Sequence, residues 1–395
     1  MELHVIFLHL AIILFLARII GDTFGRLGVP PVLGEILVGI ILGKSALGII
    51  QPYEALKVLA EIGVILLLFH IGLEADIQQL KRVGLSAVVV AFVGAAMPML
   101  LGTLLSYYLL NLPLTVSLFL GGTLTATSIG ITVRVLDDLG KMKERFAQIV
   151  LGAAVLDDII GVVVLAGLYE FSKEGAVHFD ALALLILYIA TFFLFSPLLA
   201  QILARIIQLL SRKLATEDFI PPTVIAVIFF FAFLAHEVGS PEILGAFTAG
   251  LALSRRFAIP FALFLRTDGA MAQKVEHTIM PLVWVLTPLF FVYVGLQLNL
   301  KAIDFTSLKF WTLSLLILIV AIVGKVTSGF FVSGSLKEKM LIGFSMLPRG
   351  EVGLIFAEFG RQAGVYDHTL YAVVIFVVAL TTLMAPVVLK FLVRE

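Results

Sequence analysis

The 395 residues are 61% hydrophobic and only 14% charged, with a formal net charge of +0 and a mean hydropathy of +1.13. Soluble domains run near 45–50% apolar and about 25% charged, so this chain cannot cover a water-facing surface and must face lipid. The balanced charge gives no footing for nucleic acid or an acidic substrate, and the lack of cysteine excludes disulfides, thiol catalysis and cysteine-ligated metals.

A spanning helix needs about 20 mainly apolar residues. Windows of that kind predict an all-α, polytopic protein of about thirteen segments, at 4–21, 29–50, 56–73, 84–110, 113–136, 146–170, 179–205, 220–238, 242–254, 279–299, 307–333, 339–362 and 367–392. The first segment reads as a spanning helix rather than a cleaved signal, because no basic residues precede it and Arg18 and Arg26 follow. In or near the second, third and eighth segments, Glu35, Glu61, His70, Glu74 and His236 are expected to be solvated at an interface.

The fifth segment contains Gly121-Gly-Thr-Leu-Thr125-Ala-Thr127-Ser128-Ile-Gly130. Hydroxyls clustered with glycines suggest a broken helix whose freed carbonyls line a cavity. Ser and Thr that bond back to their own helix, or let helices pack closely, explain the run equally well. Asp137 and Asp138 close this segment beside Lys141 and read as a solvated cytoplasmic loop.

The sixth segment carries Asp157 and Asp158 about midway along an apolar run. A charge at the bilayer centre costs roughly 2.5–3.5 kcal/mol on insertion scales, so two adjacent ones point to function. Such carboxylates can hold either a proton or a hard cation such as Na+. Neighbouring helix positions point about 100° apart, so the two can border one cavity from different walls.

Further on, Arg255, Arg256, Arg266 and Lys274 mark a cytoplasmic loop. Lys325 is a lone cation deep in the eleventh segment, open to snorkelling or to an ion pair with Asp157 or Asp158. The twelfth holds Leu347-Pro348-Arg349-Gly350-Glu351-Val-Gly353, where Arg349 and Glu351 are more readily partners for the ends of half-helices than ion ligands. Two broken helices at matching positions are the best sequence pointer to a transport site. No nucleotide loop, cofactor site or catalytic triad is present in the sequence, so no enzyme is expected.

The matching positions come from an internal repeat. Glu35-Ile-Leu-Val-Gly answers Glu242-Ile-Leu-Gly-Ala, Gly72 matches Gly295, and Gly130 matches Gly353, the Asp157-Asp158 helix lining up with Thr381-Thr382. The copies start seven segments apart, and an odd offset inverts the second, as in secondary transporters. Lys and Arg in alternate loops fall into one rich set, running from Arg26 through Lys81, Arg82, Lys141, Lys143 and Arg145 to Lys390 and Arg394, and one poor set of Lys44, Lys57, Lys173, Lys301, Lys309 and Arg361. That bias predicts an outside N-terminus and a cytoplasmic C-terminus.

At Thr125-Ala-Thr-Ser128, Leu156-Asp157-Asp158, Gly324-Lys325 and Pro348-Arg-Gly-Glu-Val-Gly353 the chain resembles the monovalent cation/proton antiporter superfamily, type 2, and within it the NapA-type bacterial sodium/proton antiporters. The resemblance implies exchange of Na+ (or Li+) for H+ in the inner membrane and a homodimer. It implies panel parts at 1–83 and 214–306, core parts at 84–178 and 307–395, and a linker helix at 179–213. By the same resemblance Asp158 is the main ion-binding carboxylate and Asp157 the partner of Lys325. Thr127 and Ser128 would lie near the ion, with Arg349 and Glu351 as charges of the second crossing. Electroneutral relatives commonly have Asn at the position of Asp157, which implies electrogenic exchange here. Potassium-efflux relatives of the Kef type usually add a nucleotide-binding domain after the last helix, whereas this sequence stops at Glu395; a K+/H+ antiporter or a K+ efflux module of Kef type remains the alternative.

Overall fold

Apolar residues run through each predicted segment without period-2 alternation, and in lipid every backbone polar group must be satisfied within the segment, so helices result. The computed structural model describes residues 2–27, 30–74, 77–174, 177–214, 220–254, 269–302, 305–349 and 351–394. Arg255, Arg256 and Arg266 of the basic loop, and Gly350, lie outside them.

Among the described residues every regular element is helical. In chain order they are α1 (Leu3–Arg26), α2 (Pro31–Leu42), α3 (Glu54–Glu74), α4 (Ile77–Leu104), a π-helical turn (Leu105–Leu109), α5 (Leu114–Thr123), α6 (Ile129–Asp138), α7 (Arg145–Glu174) and α8 (Phe179–Leu214). There follow α9 (Ile220–Glu237), α10 (Glu242–Leu253), α11 (Gly269–Gln297), α12 (Leu308–Thr327) with a 3-10 turn (Ser328–Phe331), α13 (Leu336–Ser345), α14 (Glu351–Gln362) and α15 (His368–Arg394). Eight of these are long and apolar enough to cross a membrane, and four shorter helices are also apolar.

Helix starts follow from local chemistry. Prolines stand at or just before the first residues of α2, α5 and α10, where their missing N–H costs nothing and their fixed φ suits a helix. Ser307 and Ser335 cap α12 and α13 by accepting from Phe310 N–H and Glu338 N–H. The flanks left outward are apolar: Leu3, Phe7 and Phe15 of α1 and Leu187, Leu194 and Phe195 of α8 are all more than half exposed, a surface suited to lipid.

The chain divides into two compact units. The first comprises Met1–Glu54, Val83–Phe179 and Phe291–Glu395, the second Ala55–Arg82 and Asp180–Phe290. In the first, a side chain at Gly295 of α11 would strike the backbone of Ile36, Gly39 and Ile40 of α2. In the second, one at Gly72 of α3 would strike the backbone of Phe247 and Leu251 of α10. Each glycine lets one helix backbone lie directly on another, so the matched pair Gly72 and Gly295 does the same work in each unit.

The likeness of Glu35 to Glu242 is different. Glu35 is the fifth residue of α2, whereas Glu242 opens α10. The positions that correspond in contact are Gly34, against the backbone of Ile20 and Gly21, and Gly245, against that of Phe231. Close approach of backbones demands glycine, while the short Glu-Ile-Leu string carries no such demand.

Candidate ion-binding site at two broken helices

The fifth and twelfth segments are each two short helices with a break between them: α5 and α6 part at Leu124–Ser128, α13 and α14 after Met346. The second break is written in the sequence, since Pro348 has no N–H to donate and disfavours helical geometry at Leu347. The first has no proline. It is held open by its counterpart: Ser128 N–H donates to Pro348 O at 2.8 Å, Thr127 Oγ1 to Met346 O at 3.1 Å, and Thr132 Oγ1 to Ser345 O at 2.7 Å.

Arg349, fully buried, completes the junction. Its Nη1 donates to Ala126 O at 2.9 Å and reaches Thr123 O at 3.5 Å. Thr123 is the last residue of α5 and Ala126 lies just beyond it, where helical partners have run out and the dipole is negative, so a guanidinium is stabilised there. The Arg349 backbone is fastened in turn to Thr382 on α15: its N–H donates to Thr382 Oγ1, which donates back to Arg349 O. Thr123 Oγ1 also meets the buried Tyr366 hydroxyl at 2.9 Å, a contact between distant segments that the sequence does not announce.

Beside the two breaks α7 presents Asp157 and Asp158, 0% and 4% exposed. Lys325 on α12, itself 0% exposed, donates to Asp157 Oδ1 at 3.0 Å and Oδ2 at 3.3 Å. The geometry selects Asp157 over Asp158 as the pairing partner and leaves no room for Lys325 to snorkel. Arg349 is close enough to act electrostatically on both Lys325 and Asp157. The Lys325 turn is secured by Ser328 Oγ donating to Lys325 O at 2.6 Å. Gly324 next to it faces Pro98 of α4, where any larger residue would push α12 away.

Burying a pair of opposite charges costs several kcal/mol per ion before their attraction offsets it. Lys325 is bonded to Asp157, and the nearby Arg349 is held by backbone carbonyls rather than by a carboxylate, so a proton or a small monovalent cation at the two acids can set the balance of charge. The hydroxyls of Thr127 and Ser128, both under 3% exposed, lie at the same break, and their oxygens have the hard-ligand character that such a cation prefers.

The remaining sequence candidates divide. Glu351 begins α14, and its side chain lies outside the described ones. Glu61 is exposed and pairs with Lys57 at 3.8 Å, and His236 meets Glu242 at 2.8 Å at the surface, as interface residues would. His70 and Glu35 are instead buried, at 7% and 5% exposure. Asp138 is no solvated loop residue: it ends α6 with its side chain only 10% exposed, 3.1 Å from Arg134. The cause is tertiary, because α2 packs over the last turns of α6.

With the geometry in place, comparison with known proteins identifies the kind of molecule. A family model described as "Sodium/hydrogen exchanger, transmembrane" matches residues 11–395. The chain is 33% identical to the high-affinity Na(+)/H(+) antiporter NhaS3 of Synechocystis sp., over 96% of this chain and 88% of that one. It is 33% identical to the Na(+)/H(+)-K(+) antiporter GerN of Bacillus cereus, over 98% and 95% of the two chains. Its fold is similar to that of the sodium proton antiporter MjNhaP1 of Methanocaldococcus jannaschii, with a TM-score of 0.76 at 18% identity, covering 100% of this chain and 97% of the other.

Proposed function

The chain belongs to the sodium/hydrogen exchanger family, and from that premise we propose that it exchanges cytoplasmic Na+ (or Li+) for external H+ across the cell's inner membrane. The observation that carries the reading is the buried set of Asp157, Asp158 and Lys325 beside two broken helices. Asp158 takes either the cation or a proton, never both. That competition couples the two fluxes without any source of energy other than the gradients. Thr127 and Ser128 contribute oxygen ligands to the cation, and Arg349 and Glu351 balance the ends of the half-helices.

The cavity opens alternately to each side as core segments move against panel segments, with the panel forming a homodimer and residues 179–213 joining the two. The repeats are inverted, the N-terminus is outside and the C-terminus is cytoplasmic, which the loop charges support.

Exchange is electrogenic. Two protons enter and one Na+ leaves per cycle, Asp158 carrying one proton and the Asp157–Lys325 pair the other as it parts on arrival of the cation. One net charge then couples to the membrane potential by about 2.3 kcal/mol per 100 mV. The named activity of GerN puts K+ beside Na+ as a cation to try. The test is proton flux and current in proteoliposomes after pulses of Na+, Li+ and K+. Na+ or Li+ should drive protons with the potential clamped and produce a net current when it is free. Proton movement that vanishes on clamping would indicate a channel, and exchange without current would refute the two-proton cycle while leaving the exchanger standing.

A further inference from the structure

A second buried set of ionisable groups lies apart from the one just described, where α2 meets α6. Glu35 stands among the apolar residues of α2 with its side chain 6% exposed; Arg134 and Asp138 lie on α6 one turn apart. Arg134 Nε is 3.1 Å from Asp138 Oδ1, but Arg134 Nη2 is 4.0 Å from Glu35 Oε1. Asp138 accepts a second bond, from the Val32 backbone N–H in the first turn of α2, where helix donors lack partners. Glu35 Oε2, Asp138 Oδ2 and Arg134 Nε are all buried with no hydrogen-bond partner of good geometry.

Other charges facing this set are few. Arg18 and Asp22 of α1 act on Glu35 but pair with each other at 3.1 Å and largely cancel. Asp137 acts on Arg134 and Asp138 from their own helix. From α15, Lys390 donates to the nearby Leu27 O, at 3.3 Å. Two carboxylates against one guanidinium leave one surplus negative charge out of water. An uncompensated buried charge is costly, and uptake of a proton removes it. Asp138 lies 3.1 Å from the guanidinium against 4.0 Å for Glu35, and it also has the Val32 backbone donor, so Glu35 is the carboxyl whose charge is less well matched and the one to take that proton.

We propose that Glu35 is a second proton-binding site, separate from Asp158, whose proton decides whether Arg134 ties α6 to α2. With Glu35 neutral, Arg134 belongs to Asp138 on its own helix. With Glu35 ionised, the guanidinium is shared between helices and α6 is clasped. α6 is the half-helix that starts at Ile129, directly after the break at Leu124–Ser128 beside the ion site, so the clasp restrains the element that must move. Loop charges put this end of α2 and α6 on the cytoplasmic side, and the proton would come from cytoplasmic water. The consequence for rate rests on the exchanger reading; the proton site does not.

Glu35→Gln fixes the neutral state. At saturating Na+, its exchange rate should match wild type at acid pH, where wild-type Glu35 carries its proton. It should exceed wild type about fivefold at alkaline pH, equivalent to about 1 kcal/mol of released clasp. Curves that coincide at every pH, or separate only on the acid side, would overturn the proposal. The proton site itself is read by infrared difference spectra between acid and alkaline pH in Asp158→Asn protein, which needs no transport. A protonated-carboxyl band lost on adding Glu35→Gln is expected, and an unaltered band overturns the assignment. If Glu35→Gln does not fold, Glu35→Asp keeps a carboxyl and should displace the band; a band that stays in place is the contrary result.

Discussion

Asp158→Asn abolishes sodium-driven proton movement while the protein inserts and unfolds at close to the wild-type temperature. Asn is nearly isosteric with Asp and retains an oxygen that can accept a hydrogen bond, so the packing of α7 against the two breaks is preserved. It carries no charge to hold Na+ and has no carboxylate to take up a proton. Both half-reactions therefore stop together, and the loss is complete rather than a change of affinity. The check pairs Na+-evoked proton flux in proteoliposomes with thermal unfolding of the purified protein. Residual exchange by a folded variant would move the shared site elsewhere.

Lys325→Ala gives the largest loss of stability. Lys325 and Asp157 are both 0% exposed and bonded at 3.0 Å. Breaking a buried pair by removing one partner typically costs about 3–5 kcal/mol, because the survivor stays in a low-dielectric site as an unmatched charge. Removing both partners avoids that penalty, so Asp157→Asn combined with Lys325→Ala should recover most of the loss. The measurement is a double-mutant cycle by thermal unfolding in detergent, where the two single changes must be strongly non-additive. Additive losses would show that Lys325 stabilises by its methylene packing and not by its charge. If the double variant exchanges, the two-proton cycle predicts that its current is gone.

Much of the site was legible because lipid makes charge expensive. Asp157, Asp158 and Lys325 stand out in apolar runs, and their burial is the reason the runs are otherwise so clean. The proline of the second break was equally plain. The first break was less so: Gly121 to Ser128 reads as well for close helix packing, and what opens it is a set of donors and acceptors some 220 residues away, Thr127 to Met346 and Arg349 to Ala126. Local sequence does not encode which distant carbonyl a hydroxyl will find.

The Glu35 cluster was missed for a related reason. Arg134 and Asp138 are spaced one helical turn apart, a signal present in the sequence, but Asp138 lies next to the charged stretch Lys141–Arg145 and looks like its continuation. Only the packing of α2 across α6 takes it out of water. The two compact units were likewise beyond reach, since α11 is a single uninterrupted apolar helix yet the boundary between units falls inside it, at Phe290–Phe291.

The most direct test of a shared proton and cation site is the apparent KM for Na+ measured over a range of pH in proteoliposomes. If Na+ and H+ compete for Asp158, KM must rise in proportion to proton concentration on the acid side and level off on the alkaline side, once the site is free of protons. A KM that stays constant while pH changes would contradict competition and require separate sites for the two ions.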